Sequence, residues 1–195
     1  MTEHCRYVLL LGFVGLAACG HGSPNATGDG GDDGQPVDSR MSTPCWLDTY
    51  TPGGAVQLGT GATTFIAMPD NIELEYGTQN GFDIPVNAQM TGLMPGTPND
   101  PLDPNNPRTR FHGYFVDTGV LANPGRCGVR LGYAPSTGGW YSMVHGSSVV
   151  FDPALTGKDL FGRQVRVVLE VIDGAGNYAT TEKIVTCQPP PGWTM

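Results

Sequence analysis

The chain has 195 residues, with 18 acidic against 10 basic side chains, a net charge of −8 and only 14% charged residues in all. The basic residues stand singly, so no patch can neutralise a row of phosphates, and nucleic acid is excluded as a partner. Glycine (29) and proline (17) make up nearly a quarter of the chain, a balance that favours turns and short extended segments over helices.

Residues 1–18 have the three parts of an export signal: a polar start with Arg6, an apolar run from Val8 to Ala18, and small residues before a cleavage point. The run stops at Cys19, well short of the roughly 20 apolar residues a membrane-spanning helix needs. Leu16-Ala17-Ala18-Cys19 resembles the lipobox of bacterial lipoproteins. That resemblance implies that the Cys19 thiol is diacylated and becomes the mature amino terminus, so the membrane is a partner through a lipid anchor. More than one acyl chain matters, because a single chain holds a protein only marginally. Lipoproteins kept at the inner membrane often carry Asp after the lipidated Cys, whereas here that position is Gly20, which implies a cell-envelope location at the outer membrane.

Residues 19–44 hold the lipidated Cys and a linker with almost no side chain able to join a core, so they are expected to form a flexible tether. Asp29, Asp32 and Asp33 sit among glycines there, but the calcium-loop pattern fails, with Gly31 at its third position and Arg40 at its twelfth. Asn25-Ala26-Thr27 matches the glycosylation triplet, which carries no weight in a bacterial lipoprotein.

Residues 45–195 are expected to form one domain. No segment holds a period of 3.6 over three turns, and several alternate with a period of two, so the domain is predicted to be an all-β antiparallel sandwich. Strands are predicted at 55–58, 63–67, 72–76, 82–90, 110–121, 128–133, 141–151, 165–172 and 178–187. Phe82, Ile84, Val86, Ala88 and Met90 fall at every second position, and Pro85 among them cannot donate a ladder hydrogen bond, which places that strand at an edge or beside a bulge. Val165, Val167, Leu169 and Val171 are predicted to face the core, with Arg166 and Glu170 towards solvent or the rim. Asp173-Gly174-Ala175-Gly176-Asn177 then turns the chain into the last strand, a hairpin signal. The stretch from Gly92 to Arg108 holds five prolines before its last residue and no periodicity, and a loop of that length is either functional or loosely ordered.

Gly59-Thr60-Gly61, Phe65, Asp70, Leu74, Gly77, Gln79 and Gly81-Phe82, together with Phe151-Asp152-Pro153, the run Val167–Asp173 and Gly176-Asn177-Tyr178-Ala179, resemble uncharacterised Ig-like domains of lipoproteins from large-genome Gram-negative bacteria. The resemblance spans most of residues 54–187. It implies an Ig-like sandwich and no catalytic motif, while the proline-rich loop departs from the compact form of such domains.

Three cysteines fall in the domain, Cys45, Cys127 and Cys187. One disulfide and one thiol is the natural count for an oxidising compartment, and the Cys45–Cys187 pairing is preferred because it closes the longest loop, although either pairing with Cys127 stays open. For chemistry, the G-x-S-x-G elbow is absent, since Gly146-Ser147-Ser148 lacks the following Gly. His112 and His145 lie on separate predicted strands without zinc spacing. Glu73, Glu75, Asp83, Asp117, Glu170 and Glu182 could supply the paired acids of glycosidic chemistry, but such pairing is a matter of geometry and not of sequence spacing, and most of them are expected on solvated strand faces. Asp152, Asp173 and Asn177 lie at strand ends where calcium binds in extracellular sandwiches, yet turn formation explains Asp173 and Asn177 equally well. Neither a metal nor a cofactor is expected. Among the aromatics Trp46, Phe111, Tyr114, Phe115, Trp140 and Tyr141, the pair Trp140 and Tyr141 after Gly138-Gly139 is the candidate carbohydrate-stacking platform. The leading expectation is a non-enzymatic interaction or structural module with an envelope protein or a glycan as partner; the alternative is a carbohydrate-binding or hydrolytic accessory protein using Trp140 or the proline-rich loop.

Overall fold

A computed structural model of the chain describes residues 49–77, 80–123 and 128–194. The signal segment, Cys19, the tether, Cys45, Trp46, Gln79 and Cys127 lie outside the described residues. In chain order the elements are β1 (Thr51–Pro52), β2 (Ala55–Thr60), β3 (Ile66–Ala67), β4 (Asn71–Glu73), β5 (Glu75–Tyr76), β6 (Phe82–Thr91), β7 (Arg108–Phe115), β8 (Val129–Arg130), β9 (Tyr133–Pro135), β10 (Tyr141–Met143), β11 (Ser147–Val150), the single-turn helix α1 (Gly157–Leu160), β12 (Gln164–Ile172) and β13 (Asn177–Gln188). The protein is all-β, as its alternation and its glycine and proline content predict.

Two sheets form. One runs β1-β13-β12-β7-β8, with β4 also on β13; the other runs β3-β2-β6-β10-β9, with β5 and β11 also on β6. Ile84, Val86, Ala88 and Met90 of β6 share one buried cluster with Val165, Val167, Leu169 and Val171 of β12 and with Phe111 and Phe115 of β7. The expected core face of β12 is therefore the observed one. A slip of one residue would turn every one of these side chains outwards.

Pro85 explains a local feature of β6. This strand is interior, with β11 along residues 83–86 and β10 at 89–90, while β5 covers 82–83 and β2 covers 87–91. The flank shared by β5 and β2 is thus unpaired between Asp83 and Asn87. Phe151 donates its N–H to the Phe82 carbonyl, so the even residues of β6 turn their backbone groups towards β11 and Pro85 turns its missing donor into the gap, where it costs no bond.

Several predicted strands are broken, each for a visible reason. The 72–76 run divides at Leu74, because β4 pairs parallel with β13 whereas β5 pairs with β6; the segment crosses between sheets, and the Leu74 N–H is taken by the Gln188 carbonyl. The 141–151 run divides because seven residues from Tyr141 to Ser147 oppose five from Met90 to Val86, a two-residue bulge. Gly146 sits in it with the Gly61 carbonyl only 2.7 Å from where a Cβ would stand. The 110–121 run ends at Phe115, and the chain turns through Asp117-Thr118-Gly119 so that Leu121 bridges back to Tyr114. The 128–133 run separates into β8 on one sheet and β9 on the other.

One burial expectation is corrected. Glu170 does not face solvent: it is 9% exposed, because the register sets it directly opposite Arg110 of β7 and a charged partner makes burial tolerable there.

Candidate functional site

The proline-rich loop is ordered. Its ends are close, and its interior is held by Asn106, which is buried, accepts the Thr97 N–H at 2.7 Å and donates to the Asp100 carbonyl at 2.6 Å. Asp103 accepts the Thr97 hydroxyl at 2.7 Å and the Asn105 N–H at 2.8 Å. These bonds, that from Thr97 first, hold the Asp103 carboxyl below the usual carboxylate range. The loop is tied to the domain by the Tyr133 N–H on the Pro95 carbonyl, the Leu131 N–H on the Pro107 carbonyl, and the Met94 N–H on Asp173. This is a compact Ω-type loop packed by its own side chains. Between Pro98 and Pro101 of the loop and Leu131, Met143 and His145 of the domain lies a cleft of about 310 Å³. Arg130 beside it is turned onto the loop, where it donates to the Pro104 carbonyl.

The Trp140 turn is set by Gly138 and Gly139, both at positive φ, with the Thr91 hydroxyl donating to the Gly139 carbonyl at 3.1 Å. Trp140 is half-buried and Tyr141 packs against the core cluster. Of the other aromatics considered, Phe111 and Phe115 are core residues, and Tyr114 lies under the Arg166 guanidinium at 4.7 Å. A different set of rings comes together: Tyr76, Phe82, Phe161 and Trp193, with centroids 5.0 to 6.1 Å apart. Tyr76 and Phe82 flank the Gly77–Gly81 turn and were within reach of sequence reasoning. Trp193 and Phe161 come from distant parts of the chain, and no local pattern announces them.

The carboxylates and histidines occupy distinct roles. Glu170 accepts Arg110 Nε at 2.7 Å and Tyr178 Oη at 3.0 Å, with a second Arg110 nitrogen at 2.6 Å. His112 Nε2 is 3.8 Å from the same carboxylate, beyond hydrogen-bonding distance, and its buried Nδ1 has no partner. Burial, and then the Arg110 charge, push the His112 pKa down against the opposing pull of Glu170, so the neutral imidazole is favoured. His145 stands exposed in the bulge of the other sheet. Among the described residues no group of three metal-ligating side chains gathers. Asp117 pairs with Arg163 at 3.0 Å, and Glu182 pairs with Arg166 at 2.8 Å, both at the surface, where such pairs contribute little.

The strand-end acids serve as turn formers. Asp173 accepts the N–H groups of Ala175 and Asn177 on one oxygen, and the Met94 N–H and Asn177 side-chain amide on the other, all at 2.9 to 3.0 Å. Burial alone would raise its pKa; the bonds from Asn177, Met94 and Ala175 outweigh burial and hold it low. Asp152 accepts the Ala154 N–H at 2.9 Å in its own turn. Ser147 and Ser148 lie in β11, not on a nucleophile elbow. Among the described residues Cys187 of β13 is a buried thiol without a partner, pushed up to about 12 by burial, which disfavours the reactive thiolate; Cys45 and Cys127, the partners weighed for it, lie outside the described residues.

No family model, no curated protein and no solved structure matches this chain.

Proposed function

We propose that the chain is a lipid-anchored cell-envelope protein whose Ig-like domain is a non-enzymatic interaction module. The observation that carries the domain reading is the strand order. Taking β6, β7, β9, β10 with β11, β12 and β13 as strands B, C, D, E, F and G, one sheet runs A-B-E-D and the other G-F-C, the arrangement of an Ig-type sandwich. The amino-terminal segment serves as strand A, shared between antiparallel pairing with β6 and parallel pairing with β13. The non-enzymatic reading is supported by how the reactive groups are spent. Glu170 and Asp173 have their oxygens filled by protein donors, and the Cys187 thiol is sealed in the core.

The anchor rests on the lipobox at Cys19, and detergent-phase partitioning of wild type and Cys19→Ser tests it. The wild type should enter the detergent phase and the variant the aqueous phase, because the acyl chains supply nearly all the membrane affinity. Persistence of Cys19→Ser in the detergent phase overturns the anchor. Turnover of envelope glycans or peptides by the purified protein overturns the non-enzymatic half of the proposal.

A further inference from the structure

We infer that Cys187 is left out of the domain's disulfide and stays a thiol, and that the bonded pair is Cys45 with Cys127. Three cysteines in residues 45–195 leave three pairings open, and the sheet that holds Cys187 measures which of them the chain can make. Cys187 lies near the end of β13. At the start of that strand the chain enters the domain, with Thr51 opposite Asn177. Ten steps of strand separate Asn177 from Cys187, about 33 Å at roughly 3.3 Å per residue. Cys45 and Cys127 are outside the described residues, but covalent geometry limits how far each can stand from a described neighbour. The six residues from Cys45 to Thr51 span at most about 22 Å when fully extended. Laid back along the whole of β13, they would still leave Cys45 about 11 Å short of Cys187, whereas the Cα atoms of a disulfide are at most about 6.8 Å apart. β1 also runs parallel to β13, so the chain reaches Thr51 from the end away from Cys187.

Cys127 is further still from Cys187. Two residues after it in the chain, Val129 of β8 stands opposite Thr109 of β7, Thr109 opposite Val171 of β12, and Val171 opposite Ala179 of β13. Three strand spacings of about 4.8 Å across the sheet and eight steps along β13 put Val129 about 30 Å from Cys187, of which two residues can cover about 7 Å. Cys45 and Cys127 meet no such limit. Thr51 and Val129 lie on opposite borders of the same sheet at nearly the same level, about 20 Å apart across four spacings and well inside the combined reach of about 29 Å. Cys187 is suited to being left out: it is fully buried in the core cluster, and burial disfavours the thiolate that disulfide exchange needs. The bond has a mechanical use. β1 has two residues, so a pull on the tether would peel it from β13, whereas a link from Cys45 to Cys127 shares that pull between both borders of the sheet. This goes beyond the interaction-module reading but rests on its envelope location, which supplies the oxidant. The two thiols give two electrons and two protons to a disulfide-bearing oxidase, whose own S–S bond is reduced to two thiols as theirs forms.

Mature protein purified from bacterial membranes in detergent is alkylated in denaturant without reduction, digested and mapped by mass spectrometry. A second sample is first reduced, unfolded and refolded in a glutathione redox buffer. Both maps should show one linked peptide pair, containing Cys45 and Cys127, with Cys187 alkylated; without denaturant Cys187 should resist alkylation. Cys45→Ser and Cys127→Ser should each raise the count of alkylated domain cysteines from one to two and lower the thermal midpoint by a similar amount, about 10 °C, and the double variant should fall no further. Cys187→Ser should keep the linked pair. A linked peptide that contains Cys187 in either map, or three alkylated domain cysteines in the refolded protein, overturns the inference. Three alkylated cysteines before refolding with the expected pair after it would uphold the pairing and fault the envelope location instead. The anchor is read separately at Cys19, whose peptide carries acyl chains where the lipoprotein reading holds and an alkylated thiol where it fails, so the two failures are distinguishable.

Discussion

Replacing Arg110 by Ala should cost the domain about 3–5 kcal/mol, the range for removing one partner of a buried ion pair. The wild-type Glu170 carboxylate is 9% exposed and is met by two Arg110 nitrogens at 2.7 and 2.6 Å, with Tyr178 Oη on its other oxygen. Arg110→Ala leaves Tyr178 as the donor the structure assigns to a charge still held away from water. For a domain of about 150 residues, where 1 kcal/mol moves the midpoint by about 2–4 °C, the expected fall is about 6–20 °C. The comparison is Arg166→Ala, which breaks the surface pair with Glu182, both partners well exposed, and should cost under about 1 kcal/mol. Replacing both buried partners, as in Arg110→Met with Glu170→Leu, should recover most of the loss, because the uncompensated charge is gone. Urea melts with linear extrapolation measure all three. If Arg110→Ala and Arg166→Ala cost the same, the Glu170 carboxylate is hydrated in solution, and the burial argument fails.

The same residue shows where sequence reasoning reaches its limit. Alternation in β12 identified Val165, Val167, Leu169 and Val171 as one face, because a period of two is a property of the strand itself. It could not report what covers the other face, which depends on a β7 residue 60 positions away in sequence from Glu170. The broken strands follow the same logic. Asp117-Thr118-Gly119 is a local turn signal that the predicted 110–121 strand runs through, whereas the crossing at Leu74 depends on whether β13 or β6 offers the nearer ladder, which is decided only when both sheets exist. The proline-rich loop is ordered because Asn106 bridges Thr97 and Asp100, and composition alone does not distinguish that arrangement from a slack tether. At the candidate sites Gly138-Gly139 points to an aromatic surface at Trp140, because a ring after two glycines stands in a turn. The turn is there, but Tyr141 is drawn to the core. The exposed rings that gather do so by convergence of the Gly77–Gly81 turn, the end of α1 and the chain terminus, three segments without a shared sequence pattern.

Two further outcomes follow from the core and from His112. Leu169→Ala, at a fully buried position opposite Phe111 and Thr181, should cost about 2–5 kcal/mol in urea melts through lost burial and a residual cavity; a cost under about 1 kcal/mol would mean that β12 is not in the register described. His112 should make the domain less stable in mild acid. Its folded pKa is lowered from 6.5 by burial and then by Arg110, with Glu170 opposing, so between the folded and unfolded values the unfolded chain binds the extra proton. The contribution is therefore fully present above the unfolded pKa and is lost as pH falls through 6.5, with a slope of at most about 1.4 kcal/mol per pH unit for one proton. The carboxylates with lowered pKa values, Asp103, Asp117 and Asp173 among them, titrate further into acid and add their own loss there. Unfolding free energies of wild type and His112→Gln across the window from neutral pH into mild acid isolate the histidine. The difference between the two proteins should change with pH there, in favour of His112→Gln as acidity rises. Parallel curves would show that His112 is protonated equally in the folded and unfolded states, and the buried, neutral imidazole beside Arg110 would have to be abandoned.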